Sequence, residues 1–303
     1  METDSYSSSF FNHKSVMTQE ILDSIDYCSH ISFKEFYGID ATLGGGGHSY
    51  ELLKKYNNLK IIGLDQDPNA RNASAFNLRE FQKRITIYAY NFAEYIPAEK
   101  VSFIIADLGV SSDQIDKSER GFSFLNDGPL DMRMNPKSDM TAEKLIKEIS
   151  ENDLADIIYK YGDERLSRKI AYKIKKELKD KGNFSGTKAL AYTIAGCFPP
   201  KQRYRRIHPA TRTFQALRIA VNKEIDVLKT LLDNAQNWLM PGGIIAIISF
   251  HSIEDRLVKN HFKNDIRLIP ITKKPLTPSE DELLENKRSR SAKLRIAQLK
   301  EMH

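Results

Sequence analysis

Apolar residues in the first third of the chain fall into four strand-length runs, at 36–42, 60–65, 85–90 and 101–107, rich in Ile, Val and Phe. Between them lie stretches suited to helices, 50–56 and 68–81, the second opened by Pro68 directly after Asp67, a favoured first helical position. Strands alternating with helices predict a mostly parallel sheet. A fifth run, 243–250, is almost continuously apolar, as a strand covered on both faces should be. From about 112 to 210 there is no comparable run, while 142–149, 153–161 and 165–178 carry apolar residues at helical spacing. The expected fold class is therefore α/β, with a sheet interrupted by a helical insertion. Residues 213–239 read as one long amphipathic helix ended by Met240-Pro241-Gly242-Gly243. Residues 276–290 are polar and read as a loop before a last strand at 292–297. No internal repeat is visible.

The pattern divides the chain into a tail at 1–11, a sheet domain at 12–114 and 211–303, and the insertion at 115–210. With 303 residues, 41% hydrophobic and 28% charged, the chain has enough apolar material for a sizeable core and is neither disordered nor membrane-spanning. The longest apolar stretch, 244–248, is far short of a membrane span. Two cysteines, Cys28 and Cys197, without a CxxC pair or a Cys/His cluster, support neither a disulfide framework nor a structural zinc site. A start with early acids and no apolar core is not that of a signal peptide, so a cytoplasmic location is expected. The net charge of +6 permits a polyanionic partner without requiring one.

Candidate chemistry gathers where the strands should end. Asp40-Ala41-Thr42-Leu43-Gly44-Gly45-Gly46-Gly47-His48 joins the first strand to a helix, where glycines let a ligand approach backbone and the helix N-terminus favours an anionic group. The third glycine of a dinucleotide fingerprint is missing, since Ser49 or Tyr50 stands in its place, so a nucleoside ligand without pyrophosphate fits better than NAD. Asp65 ends the second strand at the distance where an acid accepts both ribose hydroxyls, and Asp67 is the better candidate for capping the next helix. Asp107 ends the fourth strand and is either a site residue or a turn residue. His251 follows the fifth strand at the same edge; a lone histidine is more often structural, but its position beside Asp107 makes it a candidate. Residues 201–223 hold seven Lys/Arg and no acid, which favours contact with phosphates over a merely solvated helix face. A nucleotide-binding RNA module without catalysis remains open on residue types alone.

Together these strings resemble the bacterial ribosomal RNA methyltransferase H (MraW) family, similar in fold to other class I (Rossmann-like) S-adenosylmethionine methyltransferases. The resemblance runs from His13-Lys14-Ser15-Val16-Met17 through Gly45-Gly46-Gly47-His48-Ser49, Asp65-Gln66-Asp67-Pro68, Asp107 to Gln114, Arg120 to Phe124, and Gly128 to Met134. It continues through Tyr161 to Arg165, His208 to Gln215, Ser249 to Arg256, and Arg288 to Ser291. It implies methyl transfer from S-adenosylmethionine to N4 of a cytidine in the decoding region (P site) of 16S ribosomal RNA, with the RNA or small ribosomal subunit as partner and no membrane. It leaves the oligomeric state open, a homodimer included. Carried over by motif, Gly46, Gly47 and His48 take the methionine end of the cofactor, Asp65 its ribose, Phe92 its adenine, and Asp107 and Gln114 its other polar groups. Gly45 departs from the larger residue common there, which leaves cofactor binding intact.

Cytosine N4 is a weak nucleophile because its lone pair is delocalised into the ring, so acceptors for its two hydrogens favour a pyramidal nitrogen. DNA amino-methyltransferases supply these with an Asn/Asp/Ser-Pro-Pro-aromatic motif, and here that place reads Asp107-Leu108-Gly109-Val110. The Asp107 carboxylate or the backbone near Leu108, together with His251 and Asp131, is therefore expected to complete the amine site. Arg133, Arg203, Arg205, Arg206 and Arg212 are expected to position RNA phosphates.

Overall fold

The computed structural model describes residues 15–203 and 207–301; the stretch expected to be a tail lies outside them. In chain order the first elements are α1 (Thr18–Ile25), β1 (Phe36–Asp40), α2 (Gly47–Lys55), β2 (Leu59–Leu64), α3 (Pro68–Asn77), β3 (Ile85–Tyr88) and β4 (Val101–Asp107). Six helices and a short turn of helix follow: α4 (Ser112–Asp116), α5 (Ala142–Glu148), α6 (Glu151–Gly162), α7 (Ser167–Lys181), α8 (Thr187–Ala195), α9 (Pro200–Arg203) and α10 (Thr211–Asn222). The chain ends with α11 (Glu224–Trp238), β5 (Leu239–Ser249), α12 (Ser252–Asn264), β6 (Leu268–Pro270), α13 (Glu280–Glu285) and β7 (Lys293–Leu299). Two compact units result, one made of the chain up to Gly109 together with Leu228 onward, the other of Val110–Val227.

The first unit is a seven-stranded sheet in the order β3-β2-β1-β4-β5-β7-β6, in which β1 to β5 run parallel and β7 is antiparallel to both neighbours. The near-continuous apolar runs are explained by their alternation between two faces. Phe103, Ile105, Ile244, Ala246 and Ile248 pack on one face with Ile21, Leu52 and Leu294. Ile104, Ala106, Ile245 and Ile247 pack on the other with Leu228, Leu231, Trp238 and Val258. Both faces are covered, so most residues of the central strands β4 and β5 are buried.

The second unit is all helical among its described residues, around Leu145, Ile158, Ile170, Ile174, Leu190, Phe214 and Leu217. Here α10 packs on the far side of the boundary that spacing suggests at residue 210.

Three sequence expectations are corrected. The long helix 213–239 is two helices, because Lys223 adopts a left-handed φ of 52° and donates its N–H back to Ala220, ending α10 before α11 begins. The strand expected from residue 243 begins at Leu239, so Met240-Pro241-Gly242-Gly243, which follow the end of α11, lie inside β5, where the register with β4 slips between Val101↔Leu239 and Phe103↔Ile244. This irregularity is the bulge that a Pro-Gly pair in a strand signals. The polar stretch 276–290 holds α13 and a 3-10 turn, Lys287–Ser291, and its Leu276 bridges to Leu294.

Candidate functional site

In the sheet unit β1 lies between β2 and β4, so the chain reverses its winding direction across β1 and β4 and opens a crevice at their carboxyl ends. Three acids stand there: Asp40 closes β1, Asp65 follows β2, and Asp107 closes β4. Asp40, which sequence reasoning passed over, is buried and accepts from Ser49 Oγ at 2.7 Å and Thr42 N at 3.3 Å. Burial holds its carboxyl above the usual range. Only its place in the DATLGGGGHS string hinted at this.

Asp65 accepts from the backbone of the glycine loop, with Gly44 N donating to Oδ2 at 2.8 Å and Asp67 N to Oδ1 at 2.8 Å. Burial pushes its pKa up to about 6, against those two hydrogen bonds. Asp67 caps α3 by accepting from Asn69 N, and Pro68 opens the helix, both as the sequence suggests.

Asp107 is the least satisfied of the three. Its backbone N–H donates to Thr42 Oγ1 at 2.6 Å, but its side-chain Oδ1 is buried with no hydrogen-bond partner. Burial pushes its pKa up to about 7; His48 opposes the shift, and the charges of Asp40, Glu254 and Glu282 add to it. A buried acceptor left open at the end of a strand, beside a switch point, is the signature of a group that meets a ligand.

The glycine loop divides its labour. Gly44 (φ 52°) faces open space, its hypothetical Cβ meeting nothing nearer than Thr42 O at 3.8 Å. Gly46 (φ 83°) is the N-cap of α2, and a Cβ there would meet Leu78 Cδ1 at 2.7 Å; a Cβ on Gly47 would meet Ser15 Oγ at 2.0 Å. Gly46 and Gly47 are thus glycines because protein packs against them, and Gly44, which the sequence did not single out, is where a ligand has room. His48 is buried, with Nε2 donating to Val16 O at 2.8 Å.

His251 stands at the same edge, two residues beyond the end of β5. It is the N-cap of α12: its Nδ1 accepts from Glu254 N at 3.4 Å, while Glu254 Oε2 accepts from Phe250 N and His251 N. Its side chain is 8% exposed, and its Nε2, 3.1 Å from Glu254 Oε1, is not aligned for a hydrogen bond. His251 therefore has a structural duty, and its Nε2 lies beside the Glu254 carboxylate without an aligned hydrogen bond. Phe92, in the loop after β3, is half-buried and packs with Ile62 and Tyr95 against the sheet; Asn91 Oδ1 accepts from Ala93 N and shapes that turn.

The remaining expected residues belong to the helical unit. Gln114 is buried in a capping box with Ser111 at the start of α4. Asp131 and Arg133 form a two-toothed pair at 2.7 and 2.7 Å, and Arg133 also donates to the carbonyls of Pro136 and Ser138 at 2.9 and 2.6 Å. That pair holds Asp131 below the usual carboxylate range despite its partial burial. These contacts make Arg133 a clasp of its own loop and Asp131 its anchor. Arg203 and Arg212 are exposed, each with one backbone contact, to Phe198 O and Asp163 O. Arg205 and Arg206 lie outside the described residues.

A sheet of order 3-2-1-4-5-7-6 with an antiparallel seventh strand, a glycine turn after β1 and acids at the ends of β1, β2 and β4 defines a class I methyltransferase fold. The chain belongs to the MraW methylase family, which matches residues 10–300. It is 69% identical over 300 residues, 99% of this chain and 100% of the relative, to the ribosomal RNA small subunit methyltransferase H of Prochlorococcus marinus subsp. pastoris. The protein of the same name in a Synechococcus species is 56% identical over 290 residues, 95% of either chain. A solved rRNA methylase from Streptococcus thermophilus aligns over 95% of this chain and 100% of its own at 11% identity, with a TM-score of 0.44. No helix among the described residues is long and apolar enough to cross a membrane.

Proposed function

We propose that this chain methylates small-subunit ribosomal RNA with S-adenosylmethionine as methyl donor, and that its target atom is N4 of a cytidine in the decoding region of 16S RNA. The observation that carries the reading is the near-full-length match to relatives named as small-subunit methyltransferases. The residues present suit the cofactor. Gly44 offers open space at a left-handed turn, Asp65 keeps acceptor capacity beyond its two backbone bonds, and the acids of the edge suit a ligand that carries a positive sulfonium. On this reading Gly46, Gly47 and His48 shape the turn for the methionine end, Asp65 holds the ribose, Phe92 the adenine, and Asp107 and Gln114 the remaining polar groups. When bound, the cofactor supplies an activated methyl that needs no base to release it.

What the protein must add is alignment and a place for a proton. Asp107 Oδ1, buried and unpartnered, is the acceptor available to an amino N–H, and a pKa of about 7 balances its proton-accepting and proton-holding forms near neutrality. His251, fixed by its capping bonds, directs Nε2 as a second polar contact. Asp131 acts through Arg133, ordering the loop 131–138. N4 is inaccessible in a stacked helix, so the base must be unstacked. Arg203 and Arg212, with Arg205 and Arg206, hold phosphates. Transfer of tritium from labelled cofactor to undermethylated small subunits, followed by nucleoside analysis, tests the reading. N4-methylcytidine is expected; label on C5 or another base overturns the target atom, and no label in RNA overturns the reaction.

A further inference from the structure

The proposed function gives no part to two stretches, the string ending Ser15-Val16-Met17 near the amino terminus and the polar segment 276–291. In the folded sheet unit they meet. Residues 15–17 form a strap across the glycine turn: Ser15 Oγ occupies the space beside Gly47, and Val16 O accepts the His48 Nε2 hydrogen at 2.8 Å. Met17 is fully buried with a left-handed φ of 53°, a conformation that a non-glycine residue keeps only where its surroundings hold it. Two bonds do so. Thr18 Oγ1 donates to Ser15 O at 2.8 Å, and Met17 N donates to Glu282 Oε1 at 2.7 Å, across 265 residues of sequence. Glu282 is itself set by α13, whose N-cap Ser279 Oγ accepts its backbone N–H at 3.2 Å. The same carboxylate is close enough to Asp107 to raise that group's proton affinity, so the clasp stands within electrostatic reach of the crevice.

We propose that Glu282 is a positioning residue of the cofactor site: it clasps residues 15–17 onto the turn Gly46–His48 and so fixes the backbone and the His48 ring that receive the methionine end of S-adenosylmethionine. This rests on the assignment of that turn to the cofactor made above. The geometry explains why the turn can be tight on one side and open on the other. Ser15 and Leu78 close it behind Gly47 and Gly46, and Gly44 faces open space. A turn so backed cannot retreat when a ligand presses on it. Without Glu282, Met17 loses the acceptor that compensates its backbone strain, and the strap is free to lift from Gly47 and His48.

The test uses the full chain with Glu282→Ala and Glu282→Gln. In cofactor-free protein, amide exchange at residues 15–18 and 46–50 should quicken at least about tenfold in E282A. S-adenosylhomocysteine, titrated by calorimetry, should bind about tenfold more weakly, and the KM for cofactor should rise alike while the KM for RNA stays put. E282Q, which keeps a carbonyl oxygen for the Met17 N–H, should recover most of both exchange protection and affinity. Unchanged exchange in E282A, or faster exchange with wild-type affinity, overturns the proposal. So does an E282Q as weak as E282A, because the effect would then belong to charge and not to the clasp. Failure of the wild type to bind S-adenosylhomocysteine overturns the cofactor reading and this proposal with it, whereas binding by the wild type with unaltered affinity in E282A overturns the proposal alone.

Discussion

Replacing Asp107 with Asn should make the protein more stable and far less active, and the stability change should grow with pH in a defined window. The carboxyl titrates near 3.8 in an unfolded chain and is pushed up to about 7 in the folded one, first by burial and then by Asp40, Glu254 and Glu282, against the influence of His48. Folded protein therefore holds a proton that unfolded protein has lost at every pH between these values. By linkage, stability falls as pH rises through that window, is unaffected by Asp107 below about pH 4, and levels off above about pH 7. The full shift corresponds to about 4 kcal/mol. The residue is partly exposed although its Oδ1 is buried, and solvent screening brings the expected figure to about 2 kcal/mol. The neutral amide of the D107N variant has no charge to bury and escapes this loss. Thermal unfolding of cofactor-free wild type and D107N should give equal midpoints near pH 4 and a gap of about 4 to 8 °C in favour of D107N near pH 8 for the transition of the sheet unit. Methylation in single turnover should drop at least about a hundredfold, since Asn cannot take a proton. A gap that does not change with pH would refute the burial argument. Turnover within about threefold of wild type would refute the role of the carboxylate.

His251→Asn separates capping from chemistry: Asn is a good N-cap, so stability should stay within about 0.5 kcal/mol, while His251→Ala should cost about 1 kcal/mol. Single-turnover rates at saturating cofactor should fall in both variants, and an unchanged rate in either removes His251 from the mechanism. The pair Arg203→Glu and Arg212→Glu should raise the RNA KM about tenfold and lower the slope of log affinity against log salt by about 2, with cofactor affinity unchanged; weaker cofactor binding would contradict the assignment to RNA. Lys223→Gly, at a left-handed φ that ends α10, should stabilise the protein by about 0.5 to 1 kcal/mol in chemical denaturation, and a loss of stability would mean that the lysine side chain contributes contacts there.

What could be read from the sequence is what depends on short-range periodicity. Val101–Asp107 and the run 243–250 show as strands because burial on both faces leaves almost no polar position to blur the pattern, and Asp107 at the end of the first and His251 after the second mark the crevice edge. β6, three residues long, and α13, six residues long, each span fewer than two periods of their pattern, too few for it to show. The helical period runs through Lys223 unbroken, since backbone handedness at one residue leaves no trace in the apolar spacing.

Within the site the division is the same. Residue type and place suggested Asp65 and Asp107, but the buried, unpartnered state of Asp107 Oδ1 and the charges of Asp40, Glu254 and Glu282 that raise its proton affinity are set by residues brought in from other elements. Four consecutive glycines look alike in sequence. Only the approach of Ser15 and Leu78, each about 32 residues away along the chain, separates two that serve packing from Gly44, which faces open space. Arg133 reads like any basic residue near a substrate, yet its donors are taken up by Asp131, Pro136 and Ser138. A charge is legible in sequence, whereas its availability is a tertiary property: Arg203 and Arg212 are exposed with one backbone contact each, and the more strongly paired Arg133 is not free to meet a phosphate in the same way.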